Sequence, residues 1–257
     1  MLIETHCHLD YLKAAPLEEI LKKISESGIS KVITIGVDPE NLDRVKALAE
    51  MHPEVYYTQG IHPHDAKDAS EAEFEKISDR CQLPKMVAVG EIGLDYHYNN
   101  SPRDIQRKCF ERQLQIAADN DLPVVIHTRE ADEDTKDILK NYSPHLKRKG
   151  VIHSFTSSKE LAEFVLGEGF YIGFNGIITF KKADNVQDVV KLTPIERILF
   201  ETDSPFLTPA PHRGKENAPY YLPFIATKVA ELKNVDLELL KLQVLRNSLA
   251  CFPKLNS

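Results

Sequence analysis

The sequence has no tryptophan, and no stripe of aromatic residues of the kind that stacks successive bases along an extended groove. It has no apolar run of bilayer length, so no membrane-spanning helix is expected. Its four cysteines, Cys7, Cys81, Cys109 and Cys251, are widely scattered and form no C-x-x-C pair. That argues against a disulfide framework and for a reducing compartment. The first residues lack the basic-then-apolar layout of a secretory signal, and the expectation is a cytoplasmic protein. No G-x-G-x-x-G follows the first apolar run and there is no P-loop, so an open nucleotide-binding sheet loses its usual signatures. Positive charge is also short, with a formal net charge of -7. This argues against a broad, non-specific coating of nucleic acid but leaves room for a local basic rim on an acidic body.

What is present is ordinary in bulk: 42% hydrophobic and 28% charged residues in a chain of 257, long enough to bury a full core. Eight short apolar runs recur along it: LIETH from Leu2, KVITIG from Lys31, VYYTQGIH from Val55, MVAVGE from Met86, PVVIH from Pro123, GVIHSF from Gly150, FYIGFN from Phe170 and ILFETD from Ile198. Most lead into turn residues and then a stretch with helical periodicity. In DIQRKCFERQLQIAADN, Ile105, Cys109, Phe110, Leu114 and Ala117 form an apolar stripe at three- and four-residue steps. LEEILKKISESG from Leu17 ends on Gly28, a natural helix stop. Runs this continuously apolar suit parallel strands buried on both faces. Their alternation with helices predicts an α/β fold, a (β/α)8 TIM-type barrel. With no linker, repeat or low-complexity tract, residues 1–257 are expected to form a single domain.

The polar residues closing these runs carry the chemistry. His6 and His8 end the first run, His62 and His64 the third, Glu91 the fourth, His127 the fifth, His153 the sixth and Asp203 the eighth. In an extended strand, His6 and His8 share one face while Cys7 points away. A lone strand-end histidine is ordinarily hydrogen-bonded structure. Most of a small histidine supply placed at the same end of several strands is different, because barrel strands converge at their carboxyl ends on one mouth. The pattern predicts a metal site there.

With those residues in hand, the chain resembles the TatD family of metal-dependent hydrolases, within the amidohydrolase-like barrels. The resemblance is carried by THCHLD from Thr5, GIHPH from Gly60, GEIGLDY from Gly90, IHTREA from Ile126, IHSF from Ile152, GFNGIITF from Gly173 and ETDSPFLTPAPHRGKENAP from Glu201. It implies a mononuclear or dinuclear metal centre and nuclease activity on DNA, on single-stranded ends in the 3′ to 5′ sense. It also implies that His6, His8 and Asp203 hold one ion, that Glu91 bridges, and that His127 and His153 hold the second. His62 and His64 would face the substrate phosphate. The family is described as magnesium-dependent, whereas four imidazoles suit Zn²⁺ or Mn²⁺ better than Mg²⁺. Two divalent ions, Zn, Mn or Mg, are the expectation.

Residue chemistry fills in further roles. A carboxylate at Glu91 can give one oxygen to each of two ions, which an imidazole cannot. Asp203 can combine ligation with general-base work, and His62 can stabilise or protonate a departing oxygen. Asp95 is expected to orient a ligand through a hydrogen bond, or to be a turn carboxylate. Arg129 is expected to pair with an acidic neighbour or reach a phosphate, and Glu201 to be a buried partner rather than a ligand. Arg213 and Lys215 beside Gly214 put cations on a mouth loop suited to phosphate, with Lys181 and Lys182 extending the rim. Tyr96, Tyr98 and Phe206 fall near the mouth, where packing is the ordinary role of a ring and stacking on a base the other. The leading expectation is a deoxyribonuclease that needs neither a membrane nor an obligate protein partner. The alternative is a hydrolase of another bond with the same centre, such as an aminoacyl-tRNA ester or a small amide.

Overall fold

A computed structural model describes residues 1–256. Its strands are β1 (Leu2–Cys7), β2 (Ile29–Thr34), β3 (Val55–Gln59), β4 (Met86–Asp95), β5 (Val124–Arg129), β6 (Gly150–Ile152), β7 (Tyr171–Phe174) and β8 (Ile198–Phe200). They fall one for one on the apolar runs and pair in parallel in sequential order. Helices α1 (Leu17–Glu26), α2 (Leu42–Met51), α3 (Glu71–Arg80), α4 (Arg103–Asp119), α5 (Asp132–Tyr142), α6 (Lys159–Gly167) and α7 (Asp184–Leu192) each follow one strand. Both α8 (Leu222–Lys233) and α9 (Leu237–Cys251) follow β8. The barrel closes where Thr5 Oγ1 donates to the Phe200 carbonyl at 2.9 Å, the Asp203 amide to His6 at 2.9 Å and the His8 amide to Ser204 at 2.8 Å. The expected (β/α)8 barrel is therefore the fold. No helix among the described residues is long and apolar enough to cross a membrane.

Burial on both faces resolves into two apolar clusters. Ile3, Ile33, Val87, Val125, Val151 and Leu199 belong to the smaller one, inside the barrel. Their strand neighbours Leu2, Val32, Met86, Val124, Ile152 and Ile198 belong to the larger one, beneath the helices. This is period-two alternation with apolar residues in both sets. Cys251, Phe252 and Leu255, from the chain's end, also pack with the inner cluster.

Irregularities in the ladder set the parity of the mouth. The β1–β2 register slips between Glu4 and Cys7. Ile3 therefore points inward below the slip, whereas Cys7 above it packs with the outer cluster, leaving His6 and His8 on the inner side. A second slip, between Gly90 and Ile92, bulges Glu91 out of the β4–β5 ladder. Strand β4 then continues to Asp95, beyond the end of the apolar run read from the sequence. Conversely, β3, β6 and β8 stop at Gln59, Ile152 and Phe200, so His62, His153 and Asp203 stand on the segments just after their strands. Beyond β3 the ladder is replaced by a side chain: the buried Gln113 amide of α4 accepts from the Ile61 N–H at 2.7 Å and donates to its carbonyl at 3.0 Å.

Candidate metal centre at the barrel mouth

Six side chains from five stretches of the chain meet at the carboxyl end of the barrel. His6 Nε2 lies 3.4 Å from Glu91 Oε2 and 3.6 Å from Asp203 Oδ1, and His8 Nε2 lies 3.4 Å from the same Asp203 oxygen. The other Glu91 oxygen, Oε1, lies 2.7 Å from His153 Nε2, 3.2 Å from His127 Nδ1 and 3.4 Å from His62 Nε2. Glu91 thus turns one oxygen to the His6, His8 and Asp203 group and the other to the His127 and His153 pair. His6 and Glu91 are closed off from solvent, while Asp203 and His127 are partly exposed, so the centre opens on their side.

The charges are coupled. Burial works against ionisation of Glu91, but His153 and His62 hold its carboxyl well below the ordinary range. Burial likewise opposes charge on Asp203, and His8 overcomes it. His8 and His127 are raised despite burial, by Asp203 and by Asp95 respectively, and His153 is raised well above the usual imidazole value by Glu91 and Glu201. Burial lowers His6, with His153 adding to the effect; the two rings are stacked 3.8 Å apart. Burial also pushes His62 down to about 4.

This arrangement fits a bound cation. Both ring nitrogens of His6, Nδ1 of His8 and Nδ1 of His153 are buried without a hydrogen bond, an arrangement rare for buried polar atoms. Neighbouring donors around a divalent ion bonded at about 2.0–2.2 Å stand roughly 3–3.5 Å apart, and Nε2 of His6, Nε2 of His8 and Nδ1 of His127 stand 3.2–3.6 Å from the Glu91 and Asp203 oxygens, with His153 Nε2 closer at 2.7 Å. His6, His8 and Asp203 form one compact donor group, and His62, Glu91 and His127 another. His62 differs in one respect. Its Nδ1 accepts the His64 backbone N–H at 3.2 Å, so the neutral ring carries its proton on Nε2 and offers a donor to the centre.

A supporting layer orients these groups. Asp95 Oδ2 lies 3.0 Å from His127 Nε2 and 3.1 Å from His64 Nε2, its Oδ1 accepts the Tyr98 N–H, and its carboxyl is held well below the usual range. Burial alone would raise it; the two histidines reverse the sign. Glu201, fully buried, accepts the Ser154 N–H at 2.6 Å and stands 3.6 Å from His153 Nδ1. Gly173 makes room for it, since a Cβ there would meet Glu201 Oε2 at 2.4 Å. Asp203 itself holds φ +56°, a left-handed conformation uncommon for a non-glycine residue and costly unless its surroundings impose it.

The mouth loops are less convergent. The Arg213 guanidinium donates to the Thr208 carbonyl at 3.1 Å and lies over the Phe180 ring, while Lys215, Lys181 and Lys182 are exposed. Arg129 has no carboxylate within ion-pair range among the described residues and lies over Tyr98 instead. Three positioning residues escape the sequence reading. Glu4, pushed well above its ordinary value by burial, accepts from the His6 and Thr202 amides across the β1–β8 seam. Gln106 brackets Asp95 as Gln113 brackets Ile61, taking its N–H at 2.8 Å and donating to its carbonyl at 3.0 Å. The signal for the two glutamines was present: they lie on the same helix face as Cys109, Phe110 and Leu114, where an amide is out of place unless it is bonded.

A parallel barrel with a buried cluster of imidazoles and carboxylates at the mouth defines the class as a metal-dependent hydrolase. The comparisons make the class specific. The family model for TatD related DNases matches residues 3–253. The chain is 39% identical to the uncharacterized metal-dependent hydrolase YabD of Bacillus subtilis (strain 168), over 93% of each chain. It is 34% identical to a protein of Erwinia tasmaniensis named 3'-5' ssDNA/RNA exonuclease TatD, over 91% of this chain and 93% of that one. The crystal structure of YJJV, a TatD homolog from Escherichia coli K12, superposes with a TM-score of 0.92 at 31% identity, covering 98% of both chains. The chain belongs to the TatD family of metal-dependent hydrolases.

Proposed function

We propose that the chain, read as one domain, is a deoxyribonuclease cleaving phosphodiester bonds, from single-stranded ends in the 3′ to 5′ sense. The observation that carries this is Glu91 turning its two oxygens to two separate donor groups, His6, His8 and Asp203 on one side and His127 and His153 on the other. The name of the Erwinia relative supports nucleic acid as the substrate and the direction of attack. In this reading those six side chains hold two divalent ions. Bound there, such ions would polarise a phosphoryl oxygen, acidify a water and steady the leaving oxygen. An imidazole-rich donor set favours zinc or manganese over magnesium. The four free, buried thiols support a cytoplasmic home.

The chain's own groups then divide the work. Asp203 takes the proton of the attacking water on Oδ2, the oxygen not turned to His6 and His8. His62, kept neutral by burial, donates from Nε2 to a phosphoryl or departing oxygen; at about 4 its acid form is too sparse at neutral pH for proton transfer to be its main service. His64, braced by Asp95, lines the substrate side, and Arg213 and Lys215 meet phosphates further along the strand. Labelled single-stranded oligonucleotides incubated with metal analysed in the untreated protein, then with Mn²⁺, Zn²⁺ or Mg²⁺, test this reading. Cleavage should require metal and vanish in Glu91→Ala and His127→Ala, and Asp203→Asn should lose turnover by about 10²-fold or more. Hydrolysis of a simple ester or amide with nucleic acid left intact would overturn it.

A further inference from the structure

We propose that Tyr98 and Phe206 are base-stacking platforms flanking the metal centre, so that the site grips nucleobases on both sides of the phosphate it cuts. The proposal rests on the nuclease reading and names what selects an unpaired strand. Large apolar side chains left exposed are few, and of these Tyr98 and Phe206, 56% and 52% exposed, are the ones among the described residues in ring contact with mouth histidines, His64 on the substrate side and His8 of the centre. The Tyr98 ring stands edge-on to His64 at 5.4 Å between centroids, and Phe206 edge-on to His8 at 6.0 Å. They therefore sit beside different parts of the site, one at the His64 and Asp95 lip and one at the His8 and Asp203 lip.

Both residues are fixed at the backbone. The Tyr98 N–H donates to Asp95 Oδ1 at 2.9 Å, and Asp95 Oδ2 faces His127. The Phe206 N–H donates to the Asp203 carbonyl at 3.0 Å. The Arg129 guanidinium, with no ion pair among the described residues, lies over one face of the Tyr98 ring at 4.9 Å from its centroid, so a stacked base would take the opposite face. Tyr96 shows the contrasting case. Its ring is buried and its hydroxyl bonds Asp134, so it packs and carries no ligand. Stacking on aromatic rings accepts every base, which gives grip without sequence preference, and it requires bases that are not already paired and stacked in a duplex.

The test compares wild type, Tyr98→Ala and Phe206→Ala on a single-stranded oligonucleotide and on the same strand with abasic residues flanking the cleaved bond. Each alanine should lower kcat/KM on the intact strand by about five- to a hundredfold, mostly through KM, with Tyr98→Phe and Phe206→Tyr close to wild type. Abasic residues should lower wild-type kcat/KM similarly, and the losses from missing base and missing ring should not multiply. A second readout needs no turnover: with EDTA present, 2-aminopurine in the strand should be quenched on binding wild type and regain its emission with the alanine variants. Equal cleavage of intact and abasic strands by wild type, or quenching that survives in both variants, overturns the stacking proposal alone. A wild-type protein that neither binds nor cuts single-stranded DNA overturns the nuclease reading beneath it.

Discussion

At the scale of single residues, His127 and His62 are each assigned by what occupies the other ring nitrogen. His127 faces Glu91 with Nδ1 because Asp95 takes Nε2. Such outer partners fix ring orientation and raise donor strength, so Asp95→Asn should weaken metal affinity by about 10–100-fold. Competition against a chromogenic chelator measures this, and an unchanged affinity would reduce Asp95 to a turn carboxylate. His62 gives a pH prediction for protein stripped of metal. Burial sets it at about 4 and also lowers His6, whereas both start from 6.5 in the unfolded chain. Between those values the unfolded state binds protons that the native state refuses, so stability is full above about pH 6.5 and falls as the pH drops toward 4. His8, His127 and His153 are raised, hence protonated in both states across that window, and their contribution is lost only as the pH rises above it. His62→Gln should flatten the fall between pH 6.5 and 4 in urea midpoints; an unaltered slope would mean that His62 is charged in the native protein.

At the scale of elements, the eight strands were legible because parallel strands buried on both faces leave continuous apolar runs, as in MVAVGE and PVVIH. The site was legible for a related reason: a barrel brings strand ends together, so residues such as His8 and Asp203, far apart in sequence, needed only the correct fold to meet. The inward turn of His6 and the bulge at Glu91 depend on register slips that alternation alone cannot foretell. Nor does helical periodicity reveal that Gln113 of α4 stands in for a strand beyond β3. Replacing Gln113 with Leu keeps the helix and its volume but leaves the buried Ile61 N–H and carbonyl unpaired. The expected cost is at least about 2 kcal/mol in urea denaturation, at roughly 1–3 kcal/mol for each orphaned group. Because Ile61 precedes His62, kcat should fall with it. A neutral substitution would mean that water or a shifted backbone satisfies Ile61.

At the scale of the whole molecule, the weak line of the barrel is the seam between β8 and β1. Seven strand pairs form ladders, but among the described residues this pair is joined by hydrogen bonds at its upper end alone, donated by Thr5 to Phe200, Asp203 to His6, His8 to Ser204 and the Thr202 amide to Glu4. His6 and His8 stand on one side of the seam and Asp203 on the other, so an ion shared by the three would staple the barrel shut. It would also satisfy His6 Nε2, which is otherwise buried without a hydrogen bond. Binding to the native state alone stabilises by about 2.7 kcal/mol for an ion at a hundredfold excess over its Kd. For a chain of this length that is roughly a 5–10 °C rise in Tm. Chelation should therefore lower Tm by that amount and speed amide exchange first in β1 and in the segment after Phe200, while β4 and β5, joined by a long ladder, remain protected. In Asp203→Asn the Tm difference between chelated and metal-loaded protein should shrink. If chelation changed exchange evenly around the barrel, the seam would not be what the ion holds.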